Sequence, residues 1–199
     1  MNNGMSSQRL DPAMAGKRIL LHVCCGPCST YPLNLLAEQF EVTAYFYGPN
    51  IHPDLEYKKR LGSFSEYAEK YDIDFIEGEY LPENYFNKVQ GFENRKTERC
   101  PLCYELRLEE TAKLAKEKGY DYFTTTLLIS PHQDIDHIRE LGHNLADKHG
   151  VAFFDAHPEE SPKKYKGFRP GYTVGRKIAA KEEMYMQNYC GCKFSQDEV

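Results

Sequence analysis

The chain has 199 residues, 41% of them hydrophobic, enough for one good core or a core with a small appendage. A formal net charge of −5 excludes a surface that is basic throughout, though not a local basic patch. No apolar run approaches the roughly 20 residues of a bilayer span, and the first sixteen residues lack the basic-then-apolar order of a secretion signal. Residues 1–16 therefore read as a frayed extension before one domain at 17–199, in a soluble cytoplasmic protein.

Arg18 to Val23 is a short apolar run with the length of a buried strand, and it runs straight into Cys24-Cys25-Gly26-Pro27-Cys28. Gly26 and Pro27 make a turn, Ser29 or Thr30 supplies a cap, and Leu33, Leu35, Leu36 and Phe40 recur at helical spacing. Val42 to Tyr47 reads as the next strand, followed by a charged helix from about Asp54 to Lys70 and a short strand at Ile73 to Ile76. Asn84 to Arg99 is polar and has no clear period. It delivers Cys100-Pro101-Leu102-Cys103 to the start of a helix running to about Lys118, with Gly119 as its C-cap. Asp121 to Ile129 is β-branched and aromatic and reads as a central strand. Ser130 to Asp134 leads to a helix marked by Ile135, Ile138, Leu141 and Leu145, and Val151 to Phe154 is a last strand. Val174 to Met186 is a candidate helix before Tyr189-Cys190-Gly191-Cys192. Alternation of this kind implies an α/β fold, a parallel sheet with helices on both faces and a largely helical or irregular C-terminal segment.

The seven cysteines fall into three groups: Cys24, Cys25 and Cys28; Cys100 and Cys103; Cys190 and Cys192. Clustered thiols in a cytosolic chain point to metal ligation or redox chemistry rather than structural disulfides. In a parallel sheet, loops at the carboxyl ends of the strands build the site, so the first two groups are expected to converge. Four thiolates there suit zinc or a [4Fe–4S] cluster. A vicinal pair beside a strand end, some 75 residues from its partner pair, favours the wider cluster. Cys28 reads as a buried small residue or a fifth ligand. Cys190 and Cys192 are close enough to close into a strained, labile disulfide, and a dithiol that cycles supplies two electrons.

The segments HVCCGPC, ERCPLCY, TTTLLISPHQD and FRPGYTVGRKIAAKEEMYMQNYCGC together resemble the QueH-type epoxyqueuosine reductases, over about Lys17 to Ser195. The resemblance implies that Cys24, Cys25, Cys100 and Cys103 bind a [4Fe–4S] cluster and that Cys190 and Cys192 form a redox-active disulfide. It leaves an additional iron open. It further implies a doubly wound sheet of the Rossmann-like nucleotide α-hydrolase type, with CCGPC where the phosphate loop usually lies, so that ATP use is not expected. The implied reaction is reduction of the epoxide of epoxyqueuosine at the wobble position of a tRNA, with electrons from a donor the sequence does not identify.

Such a reaction needs a proton donor as the C–O bond breaks. His132 and Asp134 are the first candidates, against a plainer reading in which Asp134 caps a helix and His132 is solvated. Tyr104 is a further candidate, and His22 reads as a core histidine. A tRNA substrate needs a basic, aromatic surface, and Ser161 to Lys181 carries Lys163, Lys164, Lys166, Arg169, Arg176, Lys177 and Lys181 with no acidic residue. Tyr165, Phe168 and Tyr172 are interleaved, as expected for phosphate contacts combined with base stacking. Two other classes remain open: a zinc-stabilised RNA-binding module with no chemistry, and a thiol-disulfide redox protein working through Cys190 and Cys192.

Overall fold

In a computed structural model, residues 14–156 and 167–198 are described. All five expected strands form: β1 (Lys17–Val23), β2 (Phe40–Phe46), β3 (Phe75–Glu77), β4 (Tyr122–Thr125) and β5 (Ala152–Phe153). They pair in parallel in the order β3-β2-β1-β4-β5. The central position of β1 explains its unbroken apolar run, since both of its faces are covered and Ile19, Leu20, Leu21 and Val23 are completely buried.

The helices are α1 (Gly26–Leu36), α2 (Asp54–Lys70), α3 (Pro82–Val89), α4 (Lys96–Glu117), α5 (Ile135–His149) and α6 (Tyr172–Lys181). Right-handed crossovers run from β1 toward β2 in one direction and from β4 toward β5 in the other, which places their helices on opposite faces. Accordingly α1 packs with α2 and α6, and α4 packs with α3 and α5. No described helix is long and apolar enough to cross a membrane.

Several boundaries differ from those expected. Phe40 opens β2 rather than closing α1, because its ring packs edge-on against Tyr122 and Phe154 at the foot of the sheet. Ser29 and Thr30 lie inside α1, where their hydroxyls donate back to the carbonyls of Gly26 and Pro27, and the cap position belongs to Cys25. The polar stretch before Cys100 contains α3 and the first turn of α4, so Cys100 sits in the second turn of its helix instead of opening it. The strand expected to reach Ile129 stops at Thr125, whose hydroxyl accepts from Leu127 N–H and turns the chain into a 3-10 helix over Thr126–Ile129. The last candidate helix is shorter than expected, ending at Lys181. Of the expected N-terminal extension, residues 1–13 lie outside the described residues.

Candidate active site

The strand order reverses between β1 and β4, and the loops leaving neighbouring strands in opposite directions open a crevice there. The loop after β1 brings Cys24, Cys25 and Cys28, the turn after β4 brings Thr126, Ser130, His132 and Gln133, and α4 brings Cys100 and Arg107. Residues 187–195 close the opposite side. Together they enclose a cavity of about 540 Å³ lined by six cysteines: Cys24, Cys25, Cys28, Cys100, Cys190 and Cys192. Cys103 lies behind this wall, buried with Cys192 against Tyr85 and Val89. The first two cysteine groups thus converge as expected, and Cys190 and Cys192 join them.

Among the described residues the lining carries five cationic side chains, Arg60, Lys96, Arg99, Arg107 and Arg176, and no carboxylate, on a chain whose net charge is −5. Arg107 is the most telling. It is 1% exposed, its Nε approaches His22 Nε2 at 3.3 Å, and its Nη2 has no hydrogen-bond partner. The groups its charge meets are the thiols of Cys24, Cys103 and Cys190. Burial and the adjacent guanidinium hold His22 well below the usual imidazole pKa, so that ring is neutral, lying 2.8 Å from the Thr125 hydroxyl and 3.0 Å from the Tyr47 carbonyl. A buried cation without a counterion is costly, and its presence marks a place for an anion. Thr126 Oγ1 and Gln187 Oε1, also on the cavity, are buried without partners.

Four of the thiols have raised pKa values. The hydrogen bond with Cys25, and then burial, raise Cys24 well above its ordinary value. For Cys25 the bond with Cys24 lowers the pKa, but the Cys28 contact and burial outweigh it and push the thiol up to about 12. Burial pushes Cys103 up to about 12. Although solvent reaches Cys190 at the cavity, the protein around it raises its pKa as well. Metal ligation here would displace protons, and Arg107, which lowers Cys24, Cys103 and Cys190, opposes the burial penalty. Among the described residues no three His, Cys, Asp or Glu side chains gather as ligands of a single ion. Sulfurs distributed around a roomy, cation-lined cavity can hold a thiolate-ligated metal centre.

The Tyr189-Cys190-Gly191-Cys192 segment is fixed through its backbone. Arg60, 2% exposed, donates from Nη1 to the Cys190 carbonyl and from Nη2 to the Tyr189 carbonyl, each at 3.1 Å. Its Nε meets Glu56 Oε1 at 2.7 Å, and the other Glu56 oxygen accepts from the Tyr185 hydroxyl at 2.8 Å. His52 N–H donates to the Gly191 carbonyl, and Ser195 donates through both N–H and hydroxyl to that of Cys192. Gly191 has φ +120°, and an added Cβ would stand 2.9 Å from Arg60 Nη1. Gly191→Ala is therefore expected to cost about 1–3 kcal/mol, read as a lower denaturation midpoint; an unchanged midpoint would mean the loop is not held as described.

Of the other expected site residues, His132 lines the cavity with its ring 6.4 Å from that of Tyr172, and Arg176 lies over the same tyrosine. Asp134 takes up the capping role, one of its two expected readings: it is the N-cap of α5, its Oδ1 accepting from His137 N–H at 3.1 Å, and it is not among the described residues of the cavity wall. Arg169 and Lys177 also lie off that wall. Lys163, Lys164, Lys166 and Tyr165 lie outside the described residues. Arg60, Arg107, Thr126 and Gln133 were not singled out from the sequence. A signal existed for two of them: Arg107 falls four residues after Cys103 on the same helix face, and Arg60 four after Glu56 among Tyr57, Phe64 and Tyr67.

A family model described as epoxyqueuosine reductase QueH matches residues 19–198. Curated relatives bearing that description include one from Streptococcus pyogenes serotype M1, 33% identical over 185 residues that cover 89% of this chain and 69% of the relative. Another, from Histophilus somni strain 129Pt, is 36% identical over 184 residues, covering 89% of this chain and 72% of its own. Among solved structures, the predicted subunit of a tRNA methyltransferase from Methanocaldococcus jannaschii matches with a TM-score of 0.50 at 11% identity, over 84% of this chain and 89% of that one. That likeness concerns the fold and agrees with the Rossmann-like α/β sheet.

Proposed function

Because the chain belongs to the QueH family of epoxyqueuosine reductases, we propose that the cation-lined cysteine cavity is where the epoxide is reduced. The enzyme is an oxidoreductase that converts epoxyqueuosine to queuosine, and residues 17–199 act as one catalytic domain on tRNA in the cytoplasm. Deoxygenation takes two electrons and two protons and releases water.

The observation that carries this reading is a cavity that, among the described residues, is lined by six thiols and five cations with no carboxylate. Cys24, Cys25 and Cys100 on its wall, with Cys103 directly behind it, would hold a [4Fe–4S] cluster, which supplies electrons one at a time. The buried Arg107 offsets the negative charge of thiolate ligands. His132, which lines the cavity beside Tyr172, would give a proton to the departing oxygen. Cys190 and Cys192, on the facing wall, store two electrons as a dithiol. Tyr172 and Arg176 offer a stacking face and a phosphate contact for the unpaired bases of an anticodon loop, and Lys163, Lys164, Lys166, Arg169 and Lys177 extend the same basic run.

Anaerobic protein carrying about four irons and four sulfides per chain is expected to turn epoxyqueuosine-containing tRNA into queuosine-containing tRNA, scored by mass spectrometry of digested nucleosides. Zinc without sulfide after attempted cluster reconstitution would overturn the cluster assignment. Replacing Tyr172 and Arg176 together by alanine should weaken tRNA binding about tenfold or more and reduce the dependence of affinity on salt by about one counterion. Unchanged affinity and slope would remove them from the interface.

A further inference from the structure

The two thiols of the Cys190-Gly191-Cys192 pair have opposite surroundings. Cys190 is exposed, whereas Cys192 is 5% exposed and packed with Tyr85, Val89, Cys103 and Phe194. Cys190 also has a dedicated neighbour. Gln133 Nε2 points at Cys190 Sγ from 3.9 Å, and the same amide accepts from the Tyr104 hydroxyl at 2.8 Å through Oε1. Tyr104 is itself 4% exposed, so the amide is oriented by a fixed partner that turns its N–H toward the sulfur. Because all three backbone carbonyls of the segment are held, the two sulfurs cannot exchange places by a swing of the loop.

We propose that Cys190 is the sulfur through which the oxidised pair exchanges with an external thiol reductant, that Cys192 is its shielded partner, and that Gln133 is a positioning residue for Cys190. The proposal rests on the reading of Cys190 and Cys192 as the electron-storing pair. A reductant thiolate attacks Cys190 Sγ, forming a mixed disulfide and breaking the Cys190–Cys192 bond, whose electron pair leaves on Cys192 sulfur and takes up a proton. A second reductant thiolate attacks the reductant's sulfur in that mixed disulfide. It releases the oxidised reductant and returns Cys190 as a thiolate, so two electrons enter the protein. Thiol–disulfide exchange selects the sulfur that is accessible, and access favours attack at Cys190; the Gln133 N–H, by stabilising thiolate on Cys190, favours the second step, in which Cys190 is the leaving sulfur.

The test uses the full-length oxidised protein, glutathione as the probe and an alkylating quench, with peptides placed by tandem mass spectrometry. Glutathione is expected on Cys190 and the alkyl group on Cys192. The reverse placement, or equal labelling, would overturn the proposal while leaving the reductase reading intact. A protein that forms no Cys190–Cys192 disulfide would overturn the electron-storing pair and this proposal with it. Gln133→Glu keeps the acceptor for Tyr104 but turns a carboxylate oxygen toward the sulfur. With oxidised glutathione as the probe for single-cysteine variants, so that the free thiol attacks its disulfide and expels glutathione thiolate, it should slow glutathionylation of Cys190 about tenfold in a Cys192→Ser background and leave Cys192 unaffected in a Cys190→Ser background. Equal slowing at both sulfurs would reduce Gln133 to a merely structural part and overturn its role.

Discussion

Arg60→Met should lower the stability of the metal-free protein by about 3–5 kcal/mol, because it leaves Glu56 charged and buried without its partner. Glu56 is 7% exposed, and its remaining donor is the Tyr185 hydroxyl. The same substitution strips the Tyr189 and Cys190 carbonyls of their donors, so the tail loses its anchor to α2. For a chain of this length the loss corresponds to a fall in melting temperature on the order of 10 °C. The double variant Arg60→Met with Glu56→Gln removes both charges and should recover part of the loss, a coupling that a mutant cycle measures. A single-variant loss below about 1 kcal/mol would show that the pair does not organise the segment.

Arg107→Met should act in opposite directions on the empty and loaded protein. In the metal-free protein the guanidinium is buried with an unsatisfied Nη2 and no carboxylate partner among the described residues, so an apolar side chain of similar length should leave stability unchanged or raise it by about 1–3 kcal/mol. In the reconstituted protein the charge facing Cys24, Cys103 and Cys190 is lost. Iron and sulfide bound per chain should then fall by more than half, and the reductase activity with them. Thermal melts of both forms together with iron analysis separate the two effects. A variant destabilised without metal yet fully loaded with iron would contradict the assignment of Arg107 as the counter-charge of the site.

These two arginines also mark the boundary between what could be read along the chain and what could not. The five strands, the βα alternation and the grouping of cysteines at strand ends are local, because apolar runs, turn residues and helical spacing are properties of neighbours in sequence. The meeting of the first two thiol groups also followed once a parallel sheet was inferred, since its strands deliver their loops to the same edge, whereas the arrival of Cys190 and Cys192 at that edge did not. Where local signals competed, boundaries slipped: Thr125 ended β4 with its own hydroxyl, and Phe40 joined the sheet for the sake of Tyr122 and Phe154. The burial of Arg60, Arg99 and Arg107 at no more than 2% exposure had no such local cause. In a charged helical stretch an arginine reads as solvated, and only the crossing of α2, α4 and the C-terminal segment at the β1–β4 crevice removes these three from water. The sequence by itself determined the fold class, the grouping of the cysteines and the family. The tertiary structure decided which sulfurs face the cavity, which cations answer them, and that Cys190 is open where Cys192 is closed, because burial and charge compensation are set by elements far apart in the chain.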